Sequence, residues 1–115
     1  MTHSNWNEIE IEEMNSLLGR QMVVGQNLMV CRLHLKKGCV VPLHQHVHEQ
    51  MSLLEEGKLR WWLGDQEFVA EPHGVVSIPS GMPHKVEALE DSIALDVFNP
   101  PREDFLSKSD AYLRR

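Results

Sequence analysis

The sequence predicts an all-β fold, a sandwich or barrel built from short strands. Between Gly25 and Pro100, glycine and proline residues cut the chain into short pieces, most of four to nine residues, that favour Val, Ile, Leu and Trp. Short strands separated by turns at such intervals are typical of these folds. The second observation is that no helical period is sustained over ten residues in this region.

Eight strands are predicted, each bounded by turn-forming residues. In chain order they are Asn27–Leu35, Val40–His46, Gln50–Glu55, Lys58–Leu63, Glu67–Glu71, Val75–Ile78, His84–Ala88 and Ser92–Phe98. The sequences EEG at 55–57 and GDQ at 64–66 indicate hairpin turns, because Gly and Asp accept backbone angles that other residues avoid. The sequences PHG and PSGMP indicate longer turns.

We interpret residues 1–115 as one domain with a barrel core at about 25–99, a lead-in at 1–24 and a tail at 100–115. The segment Ile9–Leu18 is compatible with strand, helix or coil. In the tail, Ser109-Asp110 can cap a short turn of helix. Trp61 and Trp62 lie on opposite faces of a strand, so one is expected in the core and the other outside or at an interface.

The composition excludes some partners. The chain is 42% hydrophobic and 24% charged, as in an ordinary globular protein. A net charge of -6 leaves no basic surplus to replace nucleic-acid counterions, so we expect no nucleic-acid partner. No segment approaches the roughly 18 apolar residues of a membrane span, so we expect no membrane partner.

The amino-terminal residues and the cysteines predict a cytoplasmic protein. The opening MTHSNWNEIEIEEMN is acidic and polar, without the basic and apolar regions of a signal peptide. Cys31 and Cys39 lack CxxC spacing, and two cysteines do not make a disulfide framework. We expect both to be reduced core or strand residues.

The stretch VPLHQHVHEQ at 41–50 raises the question of a metal site. His44 and His46 fall on one face of a strand, so their imidazoles can converge on one ion. Six steps of straight strand span about 20 Å, whereas ligands sit within about 2 Å of a metal. The chain must therefore turn if Gln50 is to reach the same ion, which leaves His48 in the bend. A further ligand has to come from elsewhere, and His84 is available.

These residues resemble the two motifs of the cupin superfamily. The first motif is matched by Gly38, His44, His46, Gln50 and Gly57, with Gln50 where the family usually has Glu. The second is matched by Pro79, Gly81 and His84; its leading glycine, Gly74, lies one residue closer to the proline than usual, and Ala88 replaces its closing Asn. The resemblance implies a small single-domain cupin with the double-stranded β-helix, or jelly-roll, barrel.

The resemblance also implies one divalent metal ion per chain, bound by His44, His46, Gln50 and His84. Four neutral ligands leave the ion its full charge, so the site is expected to be a stronger Lewis acid than one with a carboxylate ligand and to hold its metal less tightly. Imidazole-rich ligation suits Zn, Fe, Ni or Mn without choosing among them. The alternative is a cupin that has lost its metal, with the histidines packed in the cavity.

The last strand has two unlike faces. One is purely aliphatic and suits the packed core; it consists of Ile93, Leu95 and Val97. The other places a carboxylate beside an aromatic ring, just ahead of Arg102; it consists of Ala94, Asp96 and Phe98.

The phrases HEQ, LEEG, IPSGMPH and ALEDSIALDVFNPPRED together resemble the pectin-degradation cupins, from about Gly38 to Phe105. Those proteins convert 4,5-unsaturated monouronates from pectin and alginate to linear keto forms. The resemblance implies their ligand set of His, His, Gln and His. It also maps the Asp, Phe and Arg of their D-x-F-x-x-x-R segment to Asp96, Phe98 and Arg102, and the Asp is the residue that the family ties to catalysis.

The chemistry of these residues suits a small anionic sugar substrate. Arg102 is expected to bind the uronate carboxylate in a bidentate fork, with Phe98 as a wall. Asp96 is the candidate general acid/base for the proton transfers of ring opening and ketonisation. The alternatives are that Asp96 pairs structurally with an arginine and that Arg102 lies on the surface of the tail.

We therefore predict a metal-dependent, isomerase- or lyase-like enzyme. The alternatives are a small iron cupin oxygenase and a non-catalytic module that binds a sugar acid. Exposed edge strands, together with the pairing common among cupins, predict a homodimer. Arg32, His34 and Arg60 share strand faces that either line the cavity or lie on an exposed sheet face.

Overall fold

The computed structural model describes residues 3–115, in which ten strands form two sheets. The strands are β1 (Glu12–Asn15), β2 (Leu18–Val24), β3 (Met29–Leu35), β4 (Val40–His44), β5 (Glu49–Glu56), β6 (Leu59–Leu63), β7 (Gln66–Ala70), β8 (Val75–Ile78), β9 (His84–Ala88) and β10 (Ser92–Asn99). One short α-helix, α1 (Glu103–Leu106), and 3-10 helices at Trp6–Glu8 and Ala111–Leu113 complete the described elements.

The two sheets have the strand order of a jelly roll. The larger sheet runs β1-β2-β3-β10-β5-β8 and the smaller runs β4-β9-β6-β7, and neighbouring strands pair antiparallel. If β3 to β10 are counted as strands one to eight, the sheets contain strands 1-8-3-6 and 2-7-4-5. This arrangement confirms the predicted all-β jelly-roll barrel.

All eight predicted strands are present, each end within two residues of its predicted position. Two further strands, which were not predicted, precede Gly25. They are β1 and β2, which form a hairpin that extends the larger sheet beside β3. The sequence did not settle the secondary structure of this segment, for a physical reason. In β2 the charged Arg20 is buried together with Leu18, so the alternation of apolar and polar residues that marks a half-buried strand is broken.

The faces of β10 are the reverse of the prediction. Its inward residues are at most 7% exposed; they are Ala94, Asp96 and Phe98. The aliphatic residues Ile93, Leu95 and Val97 are half-buried on the outer face. Hydrophobicity alone did not predict the inward face, because a barrel that holds polar groups inside can carry apolar side chains on its outer face. On that outer face Leu95 is paired with Leu53, and Leu53 with Val75.

The tryptophans and cysteines follow the predictions. Trp61 is 2% exposed, whereas Trp62 is half-buried on the outer face with Lys85 Nζ 4.8 Å from its ring centroid. Cys31 and Cys39 are buried free thiols, and burial raises their pKa values to about 12 and about 11.

Three basic residues lie outside the barrel interior. The sequence did not decide whether they line the cavity or an exposed sheet face. Arg32 pairs with Glu55 and Arg60 pairs with Glu67, each on partly exposed side chains. His34 Nε2 lies 2.9 Å from the Oε1 atom of Gln21. No helix in the described part of the chain is long and apolar enough to cross a membrane.

The tail folds back across one end of the barrel, where Phe105 and Leu113 are buried. Asn15 Nδ2 donates to the carbonyl oxygen of Leu113 at 3.0 Å. Asp110 precedes the last 3-10 helix, as expected of a cap, but its side chain makes no capping hydrogen bond. It accepts instead from Arg20 and Arg114, so the residue anchors the tail.

Candidate metal centre and substrate site

Three histidines from two segments of the chain meet at this end of the barrel. His44 ends β4, His46 lies in the loop that follows, and His84 begins β9, where it is paired with His44. Their ligand atoms all lie within 4.8 Å of one another. Strand pairing in the smaller sheet therefore brings together residues that are far apart in the sequence.

Each of the three imidazoles is held in the orientation that frees Nε2. Their Nδ1 atoms donate to backbone carbonyl oxygens: His44 to Pro42 at 2.7 Å, His46 to His48 at 3.0 Å, and His84 to Met82 at 2.9 Å. Because a carbonyl can only accept, Nδ1 carries the proton in each ring and Nε2 keeps its lone pair. Metal-binding histidines are typically fixed by such a bond at the other nitrogen.

The protonation state also suits a metal. Burial, reinforced by the neighbouring His84, lowers the pKa of His44 to about 4. Burial and the charge of Arg102 lower the pKa of His46 to about 4, and burial lowers the pKa of His84 as well. The rings are therefore neutral at pH 7, the form in which imidazole binds a cation.

Gln50 lies beside this group, 4% exposed, with Oε1 3.1 Å from His46 Nε2. Since His46 donates through Nδ1, these two atoms are both acceptors, an arrangement that a nearby cation would stabilise. Three imidazole nitrogens and one amide oxygen therefore fit a divalent ion.

The loop between β4 and β5 makes the turn that the sequence predicted. Residues 45–48 separate the strands, so Gln50 returns to the histidines from β5. His48 does not belong to the histidine group, although its ring centroid lies 5.5 Å from that of His46.

Asp96 lies in the interior next to the candidate metal ligands. It is 7% exposed, its Oδ1 has no hydrogen-bond partner among residues 3–115, and it is paired across the strands with Ser52. Burial raises its pKa to about 6, against the lowering effects of the Ser52 and Gln50 side chains and of Arg102. Within the described residues Asp96 forms no ion pair, so the structural arginine pair weighed as an alternative is not seen.

Arg102 is 3% exposed, which excludes a position on the surface of the tail. Its Nε and Nη2 atoms donate to the two carboxylate oxygens of Asp104 at 2.9 and 2.7 Å, and Nη2 also donates to the Tyr112 hydroxyl at 2.8 Å. The guanidinium carbon lies 5.1 Å from the ring centroid of Phe98 and 4.1 Å from that of Phe105. Phe98 thus supports Arg102 and also contacts the edge of His46, with the ring centroids 5.8 Å apart.

Two residues of the site were missed by the sequence analysis. Asp104 is the carboxylate partner of Arg102, and Tyr112 packs on His44 with ring centroids 4.8 Å apart. Tyr112 is the one tyrosine of the chain, which is the signal that could have drawn attention to it. Its distance from the motifs along the chain gave no reason to place it there.

Two spaces that share lining residues border the site. An interior cavity of about 50 Å³ is lined by Gln50, Asp96 and Phe98 among others. An open mouth of about 1020 Å³ is lined by the loop after β4 and by the tail. His44, Arg102 and Tyr112 border both spaces, so the mouth and the interior cavity adjoin at these three residues.

Comparison with known proteins agrees with this architecture. The family model for the cupin domain matches residues 31–98, which include the four candidate ligands. The pectin degradation protein KdgF from Dickeya dadantii (strain 3937) is 26% identical over 98 residues, which cover 83% of this chain and 89% of that protein.

Solved structures show the same fold. An RmlC-like cupin from Shewanella frigidimarina NCIMB 400 has a TM-score of 0.87 at 28% identity, over 91% of this chain and 96% of that chain. KdgF from Halomonas sp. has a TM-score of 0.82 at 25% identity, over 86% of this chain and 94% of that chain. A variant of Bacillus subtilis oxalate decarboxylase, with a TM-score of 0.76 at 22% identity over 90% of this chain and 32% of its own, shares the fold. This chain therefore belongs to the cupin domain family, and it is similar to the pectin degradation protein KdgF.

Proposed function

We propose that this protein is a metal-dependent cupin enzyme that opens and ketonises 4,5-unsaturated monouronates from pectin or alginate breakdown. One observation carries the proposal: three imidazoles with ligand atoms within 4.8 Å of one another, an unpartnered carboxylate oxygen of Asp96 and the buried guanidinium of Arg102 line two adjoining spaces. The likeness to two KdgF proteins supports the substrate class.

The metal site is formed by His44, His46, Gln50 and His84. A bound Zn, Fe, Ni or Mn ion supplies a Lewis acid that stabilises negative charge developing on a substrate oxygen. Because the four ligands are neutral, none of them cancels the charge of the ion.

Asp96 is assigned the proton transfers. Ring opening removes the proton of the C1 hydroxyl and breaks the bond between C1 and the ring oxygen, which leaves an enolate at C5. Ketonisation then adds a proton at C4, so atoms and charge balance and the net reaction is an isomerisation. One carboxylate that accepts the first proton and returns it at C4 is sufficient. The Oδ1 atom of Asp96 has no partner among residues 3–115 and lies at the interior cavity, so the exchange requires the reacting edge of the substrate to enter from the mouth past His44 and Arg102.

The substrate is assigned to the open mouth. A hexuronate ring does not fit in an interior cavity of about 50 Å³, whereas the mouth of about 1020 Å³ accepts it. From there the substrate carboxylate reaches the cation of Arg102, and Phe98 holds that guanidinium from below.

The experiment incubates the purified protein with a 4,5-unsaturated monouronate and follows the ultraviolet absorbance of the unsaturated acid, with the metal content measured on each variant. We expect wild type to consume the sugar. His84→Ala should lose both metal and activity, and Asp96→Asn should keep its metal and lose activity by about 10²- to 10⁴-fold. His34→Ala, on the outer face of β3, is the matched control and should keep both.

Each contrary result removes a defined part of the proposal. A wild-type protein that leaves the uronate unchanged with every one of the four metals contradicts the enzymatic function. Uronate binding without turnover would favour the binding module, and product formed only in air would favour the iron oxygenase. An active Asp96→Asn variant would remove the role of Asp96.

We also propose a homodimer, formed through the outer face of the larger sheet, in a cytoplasmic protein with reduced cysteines. This face exposes adjacent apolar side chains, including Met51 at 45% and Val75 at 60% exposure. Light scattering tests the dimer: Met51→Lys should yield monomers. Val69→Lys, at a 44% exposed position of the smaller sheet, should leave the dimer intact. A monomeric wild type would contradict the proposal.

A further inference from the structure

We propose that Tyr112 is a substrate-binding residue, and that its hydroxyl and the Nη1 atom of Arg102 together bind the carboxylate of the sugar acid. This inference rests on the proposed function for the class of substrate. It deepens that function by identifying how the carboxylate is held and by assigning a role to a residue outside the cupin motifs.

The donors of Arg102 can be counted. The guanidinium has five N–H groups: one on Nε and two on each Nη atom. Nε donates to Asp104 Oδ1, and the two protons of Nη2 are used by Asp104 Oδ2 and by the Tyr112 hydroxyl. Only the two donors of Nη1 remain without a partner among residues 3–115. The bidentate fork that the sequence predicted for the substrate is therefore already occupied by Asp104.

Tyr112 supplies a second hydrogen-bond donor for the substrate carboxylate, because the Nε and Nη2 donors of Arg102 are already used. Its oxygen accepts the Nη2 proton at 2.8 Å, so the hydroxyl keeps its own proton for another acceptor. No acceptor for that proton lies within the described residues. Accepting a hydrogen bond from a cation also polarises the hydroxyl and strengthens it as a donor. The Tyr112 O–H and the Nη1 N–H groups thus form two adjacent donors, which match the two oxygens of a carboxylate.

The position of this pair is right for the substrate. Arg102 and Tyr112 border both the mouth and the interior cavity. The Tyr112 ring packs against His44, a candidate metal ligand, with the ring centroids 4.8 Å apart. A carboxylate bound here therefore lies beside the candidate metal site.

The tyrosine is also held in place before any ligand arrives. Its neighbour Asp110 accepts from the buried Arg20 at 2.6 Å, and the carbonyl of Leu113 accepts from Asn15 at 3.0 Å. Anchors on both sides of Tyr112 reduce the ordering cost of binding, as expected of a preorganised site.

The test compares wild type, Tyr112→Phe and Ser107→Ala after metal loading. Tyr112→Phe removes the hydroxyl and keeps the ring on His44. Ser107→Ala removes an exposed hydroxyl of the same tail and serves as the control. The probes are galacturonate, a saturated uronate, and galactose, which has a hydroxymethyl group in place of the carboxylate; binding is measured by calorimetry or NMR titration.

We expect Tyr112→Phe to bind galacturonate about ten-fold to 100-fold more weakly, the loss that corresponds to one hydrogen bond to a charged group. Galactose binding and metal content should not change, and neither probe should distinguish Ser107→Ala from wild type. With the unsaturated uronate, KM should rise by a similar factor while kcat changes little.

The outcomes separate this inference from the proposed function. Equal galacturonate affinity in Tyr112→Phe and wild type overturns it even if the enzyme is active, as does a wild type that binds no galacturonate. Loss of metal, or an equal loss of affinity for both sugars, would show a structural role for Tyr112 and also overturn it. If wild type binds galacturonate through Tyr112 but converts no unsaturated uronate, the carboxylate site stands and the reaction does not.

Discussion

Two buried arginines pack against the same phenylalanine and have different roles. The guanidinium carbon of Arg20 is 4.3 Å from the ring centroid of Phe105, and that of Arg102 is 4.1 Å from it. Both side chains are almost fully buried, at 1% and 3% exposure. Burial and aromatic packing therefore do not distinguish them.

Their partners do. Arg20 donates to Asp110 at 2.6 Å and to Glu12 at 3.0 Å, and Arg114 bridges the same two carboxylates. This network joins β1 and β2 to the tail, and we call it the tail clasp. Its charges are balanced, because two arginines share two carboxylates, Glu12 and Asp110.

Arg102 borders both spaces, and its Nη1 atom has no partner among residues 3–115, whereas its other donors are used by Asp104 and Tyr112. Unpartnered donors alone do not mark a binding arginine, because the Nε atom of Arg20 also has no partner among residues 3–115. What sets Arg102 apart is its position, since it borders the open mouth and Arg20 borders only the interior cavity. The tail clasp contributes stability, and the Arg102 group contributes recognition. Three predictions test this division.

The largest effect is expected in the tail clasp. Asp110→Asn leaves Arg20 buried beside a neutral amide, and removing one partner of a buried ion pair costs about 3–5 kcal/mol. Urea or thermal unfolding should show this loss in the free energy of unfolding. Glu67→Gln, which breaks the exposed pair with Arg60, is the control and should cost about 0–1 kcal/mol. A small loss in Asp110→Asn would mean that the clasp does not anchor the tail.

A smaller effect, of a different kind, is expected at Arg102. Arg102→Lys keeps the charge but cannot donate to Asp104, Tyr112 and a ligand in the same planar geometry. We expect KM for the unsaturated uronate to rise about ten-fold to 100-fold, with a smaller loss of unfolding free energy than in Asp110→Asn. Steady-state kinetics and urea unfolding measure the two quantities. A large stability loss with unchanged KM would place Arg102 with the tail clasp.

The smallest effect is the pH dependence of the tail clasp. Burial alone would raise the pKa of Asp110, but hydrogen bonds from Arg114 and Arg20 hold it below its ordinary value of 3.8; the pKa of Glu12 is also lowered by these arginines. A carboxyl with a lowered pKa stabilises the fold above the unfolded-state pKa, and this contribution is lost as pH falls through the folded-state pKa. The difference in unfolding free energy between wild type and Asp110→Asn should therefore be constant above pH 5 and shrink below about pH 4. A difference that stays constant down to pH 2 would contradict the assignment.

Much of the fold was predictable because its signals are local. Gly57 and Gly64 adopt positive φ angles of 94° and 59° at predicted hairpin turns, where glycine is the residue that does so without strain. The loop at 45–48 follows from distance once His44 and Gln50 are expected to share one ion, since a straight strand cannot bring Gln50 back to His44.

Other features could not be predicted locally. Which face of β10 is inside depends on the strands beside it, because Asp96 lies inward opposite Cys31 and Ser52. The burial of Arg20 depends on Asp110, ninety residues away along the chain. Neither pairing is encoded in the periodicity of one segment.

The turns, the strands between them, and the set of imidazole and amide side chains whose spacing suits a metal are all predictable from the sequence alone. Backbone preferences and strand periodicity act over a few residues, so these features are visible along the chain. Three features depend on the packed fold: which side of each strand faces inward, how Arg102 distributes its donors, and the position of Tyr112 beside His44. These depend on contacts between distant segments, which form when the sheets pack and the tail crosses the end of the barrel.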